Sequence, residues 1–130
     1  SGQLGLGDYV DRNTFTAVPP LPDGKVVKQV VPGGDHTMIL AEDDTVFACG
    51  NNYKGQLGLN DGEKRNTFTI VSSLPGGKVA KQVIAGSEHT IIIFEDNTVF
   101  GCGNNEDGQL GLKNVDKINE FKEIKLNDLE

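Results

Sequence analysis

The chain has no tryptophan, only two cysteines, one methionine and five prolines, and its aromatics are six phenylalanines and two tyrosines. Two cysteines are too few for the disulfide lattice of a small secreted scaffold. Basic residues are also scarce: 12 Lys and Arg stand against 19 Asp and Glu, for a net charge of −7 and a pI near 4.7. That balance argues against a surface built to neutralise nucleic-acid phosphates, which needs a basic stripe, while leaving room for a local patch. No apolar run approaches the roughly eighteen residues of a membrane-spanning helix, and no charged-then-apolar leader is visible. No stretch carries a persuasive apolar stripe at helical spacing, which excludes long helices from the expected fold. What is abundant is glycine, 17 of 130 residues, so the fold needs many tight turns or close backbone approaches.

Self-similarity explains the glycine. Gly-Gln-Leu-Gly-Leu occurs at 2–6, 55–59 and 108–112, each step being 53 residues. His36-Thr37 returns as His89-Thr90 at the same offset, and Val46–Asn52 returns as Val99–Asn105 with one change, Ala48 to Gly101. Residues 2–54 align with 55–107 without a gap, with 33 of 53 positions identical. The third copy keeps its first five residues and then only Asn119, Phe121 and Ile124 of the earlier pattern. The repeat units are therefore 2–54, 55–107 and a partial 108–130, about two and a half periods.

Within a period the signals are those of strands. Lys25–Val31, Thr37–Ala41, Thr45–Cys49, Thr90–Phe94, Thr98–Cys102, Thr14–Val18 and Thr67–Ile70 are rich in β-branched and aromatic residues. Pro22-Asp23-Gly24, Pro32-Gly33-Gly34, Glu42-Asp43-Asp44 and Gly50-Asn51-Asn52 punctuate them as turns. Met38-Ile39-Leu40 and Ile91-Ile92-Ile93-Phe94 are continuous rather than alternating, so these strands are expected to be covered on both faces. Four-stranded antiparallel sheets, covered on both faces and repeated at this interval, describe the blades of an all-β propeller. The apolar faces at either end of such a partial ring invite association, so this segment alone is not expected to be a stable monomer. The simplest account of the length is a segment of a longer propeller, because residues 1–24 and 107–130 occupy the same part of the repeat and do not complete each other.

The text Gly-Gly-Asp-His-Thr-Met-Ile-Leu followed by Asp-Asp-Thr-Val-Phe-Ala-Cys-Gly-Asn-Asn-Tyr-Lys-Gly-Gln-Leu-Gly-Leu resembles the regulator-of-chromosome-condensation repeat. The resemblance covers essentially residues 1–124. It implies a partial seven-bladed β-propeller with four-stranded antiparallel blades. Two departures stand out. Cys49 and Cys102 stand where the family often has Trp, which also removes the clustered tryptophans on which light sensing in one branch relies. The closing glycine of the motif is Gly7 in the first copy but Asn60 and Lys113 in the others; Asn tolerates positive φ fairly well and Lys does so reluctantly.

The conspicuous residues read mostly as architecture. Gly2, Gln3 and Gly5, with Gly55, Gln56 and Gly58 and with Gly108, Gln109 and Gly111, lack the Gly-Lys-Ser/Thr of a phosphate loop and recur with the period. The glutamine amides are expected to tie loop backbone together. His36 and His89, each preceded by an acid (Asp35, Glu88) and followed by Thr, occur once per repeat without a nucleophile or metal partners and are expected to fix turns by hydrogen bonding; Gly50 and Gly103 recur likewise as part of the repeat signature. Cys49 and Cys102 lie at equivalent points of neighbouring blades, too far apart to bridge, and read as buried reduced thiols of a cytoplasmic or nuclear protein. The acidic turns lack the spaced donors of a calcium loop and read as hairpins. No catalytic residue, cofactor or metal is expected.

Function is sought where the copies differ, at Gly7–Asp11 against Asn60–Lys64, and at Tyr53-Lys54 against Glu106-Asp107. Tyr9, Asp11, Tyr53, Lys54 and Lys64 are the candidate partner-contact residues. The reading is a non-enzymatic protein-interaction module, its partner a protein and its bare blade faces covered by further blades or other chains. The resemblance allows an alternative, guanine-nucleotide exchange on a Ran-like small GTPase, although the gapless repeats carry no insertion of the kind such exchange uses. It allows histone binding too, with acidic loops meeting basic segments, while the charge argues against direct DNA contact.

Overall fold

The computed structural model describes residues 2–8, 20–72, 74–112 and 115–125. Among them the chain forms β1 (Val27–Pro32), β2 (His36–Ala41), β3 (Val46–Gly50), β4 (Arg65–Ile70), β5 (Ala80–Ala85), β6 (His89–Phe94), β7 (Val99–Asn104) and β8 (Lys117–Ile124), with one short 3-10 turn at Pro22–Gly24. The strand expected over Thr14–Val18 lies outside the described residues. The other expected strands appear within a residue or two of their sequence limits. β8 forms although the third copy has lost most of its identity, because Ile118 and Phe121 still supply buried positions three apart around a register shift.

The strands make two four-stranded antiparallel sheets, ordered β1-β2-β3-β4 and β5-β6-β7-β8. Each is a meander closed by short turns, with Met38 opposite Ala48 in one and Ile91 opposite Gly101 in the other. At the acidic hairpins Asp44 and Asn97 take positive φ, 70° and 67°, and Asp43 Oδ1 accepts the Thr45 amide at 3.1 Å. Lys25 pairs with Asp43, and that hydrogen bond, helped by Thr45, holds the Asp43 carboxyl down at about 2. In the second sheet the equivalent hydrogen bond from Lys78, helped by Thr98, lowers the Asp96 carboxyl below the usual carboxylate range. These are hairpin devices, in keeping with the sequence reading.

The two sheets stack face to face, β1 and β2 lying against β5. Met38, Leu40, Val46 and Ala48 from the first meet Ala80, Val83, Ile92, Phe94 and Phe121 from the second in one buried core. β2 is covered on both sides, as its continuous apolar run predicts, whereas β6 alternates between buried and half-buried residues because nothing described lies over its far face. The pentapeptide Gly55–Leu59 joins the sheets. It leaves β3 of the first sheet and lies over the second, where Asn60 donates its amide to Asn119 O at 2.6 Å. Leu57 is fully buried in the shared core. Gly58 has φ +69°, and a Cβ there would stand 2.4 Å from the Phe121 ring, so only glycine fits.

A buried polar chain fixes the same joint. The Thr90 hydroxyl donates to Gln56 O at 2.7 Å, so its oxygen accepts from His36 Nε2 at 2.8 Å. His36 is therefore the neutral Nε2–H tautomer, 1% exposed, and its Nδ1 has no partner. Burial, followed by the charge of His89, pulls the His36 ring from 6.5 down to about 4. Cys102 Sγ also reaches Gln56 O, at 3.5 Å, and Gly34 donates to Gly86 O at 3.1 Å between the two turns. Both cysteines are buried and free; burial pushes the Cys49 thiol up to about 12.

Two outcomes follow. Above pH 6.5 the His36 ring is neutral in both the folded and the unfolded chain, and the joint has its full stability. Between 6.5 and about 4 only the unfolded chain takes up the proton, so stability falls with pH, by roughly 3 kcal/mol in all. Denaturant titrations across that window measure the loss, which His36→Gln abolishes; the Asp43 contribution lies lower, at acid pH down to about 2. Gly58→Ala lowers stability by about 2–4 kcal/mol, whereas Gly76→Ala, whose Cβ would meet nothing within 4 Å, leaves the thermal midpoint nearly unchanged.

Candidate functional site

The strand register sorts the connections to two ends of the sheets. Because His36 pairs with Gly50, the β1–β2 turn and the β3–β4 loop share one end, and the acidic hairpins lie at the other. The matching pair His89 and Gly103 puts the β5–β6 turn and the β7–β8 loop at the first end as well. This end carries the long loops 51–64 and 105–116, and with them the largest divergence between the copies.

Each loop is built around one buried asparagine. Asn52 accepts the Leu57 amide at 3.0 Å and donates to Asp61 O at 2.9 Å and Glu63 O at 3.1 Å. Asn105 accepts the Leu110 amide at 3.0 Å and donates to Leu112 O at 2.6 Å and Val115 O at 2.7 Å. An asparagine amide has two acceptor and two donor directions, which is what a side chain needs to close a loop onto itself. Asp61 is further held by Arg65 at 2.8 Å, and that guanidinium keeps its carboxyl below the usual carboxylate range. The sequence reading did not single out Asn52 or Asn105, although their recurrence at the common offset of 53 residues was a signal that could have found them.

The rigid base leaves its variable residues exposed. Tyr53 is 62% exposed, its amide capped by Asn51 Oδ1 at 2.9 Å. Lys54 reaches across to the second sheet, where its Nζ stands 2.6 Å from Glu106 Oε1. That bond, with Glu88 and Asp116 nearby, raises the Lys54 ammonium above its ordinary range. Lys117 Nζ lies 3.5 Å from Tyr53 O, and Lys64 is exposed further along the first loop. Tyr53, Lys54 and Lys64 thus share one end of the molecule, whereas Tyr9 and Asp11 lie outside the described residues.

The repeated signature residues stand below this surface. Gly2, Gly5, Gly50, Gly55, Gly58, Gly103, Gly108 and Gly111 all have positive φ. A Cβ at Gly50 would stand 2.5 Å from Asp35 O, so the turn before β2 closes directly on the end of β3. Gln56 and Gln109 each accept a nearby loop amide, from Lys54 and Asp107, both at 3.0 Å. Gln3 O receives the Cys49 thiol at 3.2 Å. His36 acts across the joint on Thr90 rather than within its own turn, and His89 is half-buried on the far side of the second sheet. Asn60 adopts φ 64° where the first copy has Gly7 at 86°; Lys113 lies outside the described residues. Among the described residues no three His, Cys, Asp or Glu side chains are grouped to hold a metal ion, and no helix is long and apolar enough to cross a membrane.

Comparison with known proteins agrees with this geometry. The pattern of the Regulator of chromosome condensation (RCC1) repeat matches residues 27–56 and 80–109, and a second pattern of the same description matches 43–93. The X-linked retinitis pigmentosa GTPase regulator of Homo sapiens is 42% identical over 117 residues, 90% of this chain and 11% of that protein. The secretion-regulating guanine nucleotide exchange factor of Bos taurus is 37% identical over 111 residues, 85% of this chain and 24% of that protein. The chain thus spans about a tenth to a quarter of the curated relatives it matches. In structure it resembles human WBSCR16, with a TM-score of 0.79 and 25% identity over 95% of this chain and 33% of that one. It also resembles Prp20p of Saccharomyces cerevisiae, a protein with binding properties toward Gsp1p and histones, with a TM-score of 0.78 and 24% identity over 95% of this chain and 32% of that one. With two stacked four-stranded blades, the joint built by Gly-Gln-Leu-Gly-Leu and matching repeat patterns over both copies, the chain belongs to the regulator of chromosome condensation (RCC1) repeat family.

Proposed function

We propose that this chain is a non-enzymatic protein-interaction module within a longer RCC1-type propeller, and that its long-loop end meets a protein partner. The observation that carries this reading is the division of labour between positions. Where the copies build the sheets and the joint they keep identical or apolar residues, while Tyr53-Lys54 and Glu106-Asp107, where they differ in charge and chemistry, stand together at the loop end. An exposed tyrosine held on a rigid loop is an economical anchor, because it contributes large contact area with little side-chain entropy to lose. Further blades or other chains cover the sheet faces, and a cytoplasmic or nuclear setting suits the two buried reduced thiols.

A small GTPase is the partner favoured first, since two relatives are by name a GTPase regulator and an exchange factor. Exchange itself is the second reading, and the histone binding of Prp20p makes a basic histone segment the third. Any exchange would work by distorting the partner's nucleotide site through contact.

Immobilised small GTPases in GDP-loaded, GTP-loaded and nucleotide-free forms, together with a histone dimer, separate these readings. The expected result is GTPase binding with no change in the release rate of labelled GDP, weakened about tenfold or more by Tyr53→Ala and by Lys64→Glu at unchanged thermal midpoint. Accelerated release would replace the interaction reading with exchange, binding to histone alone would replace it with the third, and full binding by both variants would move the contact off the loop end.

A further inference from the structure

One segment of the chain joins a hydroxyl to two basic side chains in an order that the sheets do not require. The sequence entering β4 reads Lys64-Arg65-Asn66-Thr67-Phe68, so Thr67 has basic residues two and three positions before it and an aromatic ring one position after. The first copy has Asp11-Arg12-Asn13-Thr14 at these places and the third has Lys117-Ile118-Asn119-Glu120. Asn66 and Phe68 thus recur in every copy, whereas the second copy alone combines both bases with a hydroxyl.

The structure turns that hydroxyl residue outward. β4 is an edge strand of its sheet. Between the pairs Ala48–Thr69 and Gly50–Arg65, the residues Asn66, Thr67 and Phe68 stand opposite Cys49 alone. Thr67 is the middle residue of this bulge and is exposed; a bulge lifts its residues out of the ladder and re-aims their side chains. The exposure belongs to the position in the blade. Glu120, one period on, has a full blade before it, and its side chain is still 41% exposed. Glu120 also shows that an anion is tolerated at this position, since it lies inside β8 with its carboxylate 3.6 Å from Lys122 Nζ. The bases are accessible as well. Lys64 is exposed. Arg65 donates to Asp61 at 2.8 Å and to Glu63 O at 2.6 Å, but the side chains of its ion pair with Asp61 are 25% and 38% exposed, and such a pair exchanges partners at little cost.

We propose that Thr67 is a phosphorylation site for a basophilic protein kinase, one that reads basic side chains two and three residues before its target hydroxyl. The Thr67 oxygen takes the γ-phosphoryl group of ATP, the hydroxyl proton passes to the kinase's catalytic base, and ADP leaves. The product carries nearly two negative charges and three acceptor oxygens, two residues from Arg65 on the same strand and roughly 7 Å along the backbone. An arginine side chain covers that span, and its planar fork suits phosphate as well as carboxylate. The phosphate therefore draws Arg65 off Asp61. Asp61 helps to close the 51–64 loop, accepting from Asn52 at 3.1 Å and from the Glu63 amide at 3.0 Å, so modification at the sheet edge loosens that loop. None of this rests on the loop end meeting a partner, because both the modification and the loosening are measured on the chain alone.

The catalytic subunit of cyclic-AMP-dependent protein kinase, with magnesium and labelled ATP, tests the proposal on the folded 130-residue chain. The expected result is a single phosphate per chain, mapped to Thr67 by fragment mass spectrometry, kept in Thr67→Ser and lost in Thr67→Ala. Lys64→Ala slows incorporation about tenfold or more, the loss of one charged contact to the kinase. Both positions are exposed, and circular dichroism with a cooperative melt confirms that each variant is folded. After phosphorylation the Asp61 carboxyl, now held below its usual range by Arg65, titrates closer to that range by NMR, and the Leu57 and Glu63 amides exchange faster with solvent. Phosphate found only on other residues, incorporation only after heat denaturation, or an unchanged rate in Lys64→Ala would overturn the site. An unchanged Asp61 titration would overturn the release of Arg65.

Discussion

Everything above rests on the joint between blades. A four-stranded sheet of this size buries too little on its own, and the joint solves that by sharing one core between two sheets. Its energy is apolar: Leu57 sits where Met38, Leu40, Val46 and Ala48 meet Val83, Ile92, Phe94 and Phe121. Its register is polar. The line of hydrogen bonds from His36 through Thr90 to Gln56 O ties the first sheet, the second sheet and the pentapeptide together and so sets their alignment. The arrangement is not free of cost, since His36 Nδ1 and Gln56 Nε2 are buried without partners. Protonation would leave the Nε2–H donor in place but bury a charge, so the acid sensitivity between pH 6.5 and about 4 arises at the joint.

A joint fixed in this way gives the loops a rigid floor. The segment that wedges between the blades and the variable loop above it are parts of one excursion, residues 51–64, tied together at Asn52. The Leu57 amide is held by the same side chain that closes Asp61 and Glu63 onto the loop. Packing below and presentation above are therefore coupled through one amide. The Lys54–Glu106 pair repeats the logic at the surface, bridging two loops that belong to different blades. Exposed as it is, such a pair contributes little stability; its consequence is orientation, holding the two variable segments side by side.

Much of this was legible in the sequence because a gapless 53-residue period carries its own alignment. Strands, hairpins, blade number and free thiols all follow from position-by-position repetition, and β6 deviates only where its far face lacks a neighbour. What could not be read was the partner of each repeated polar residue. His36 looked like a turn residue because it recurs once per repeat, yet its bond runs to Thr90, 54 residues away. Periodicity identifies equivalent positions within blades; it does not say which group of one blade touches which group of the next. Asn52 went unremarked for a related reason: beside Gly50 and Asn51 it reads as generic turn punctuation, and its burial is a tertiary property. The variable loop residues were legible only as differences, and sequence alone could not gather Tyr53, Lys54 and Lys64 to one end.

The two copies also differ inside the core, and there the differences compensate. Ala48 is replaced by Gly101 at the equivalent position, while Val71 is replaced by Ile124. A Cβ at Gly101 would stand 2.8 Å from Ile124 Cδ1, so the larger isoleucine occupies the room the missing methyl leaves. Ala41 becomes Phe94, which meets Phe100 edge to face at 5.3 Å within the joint, a contact the first blade cannot form. Core volume is conserved locally although neither residue is. The blades are therefore similar enough to stack by one rule yet shaped differently at the contact. A blade with Gly101 and Ile124 in place of Ala48 and Val71 presents a different relief to whatever covers it. Repetition gives the two blades a common way of stacking, and these paired substitutions give them different reliefs.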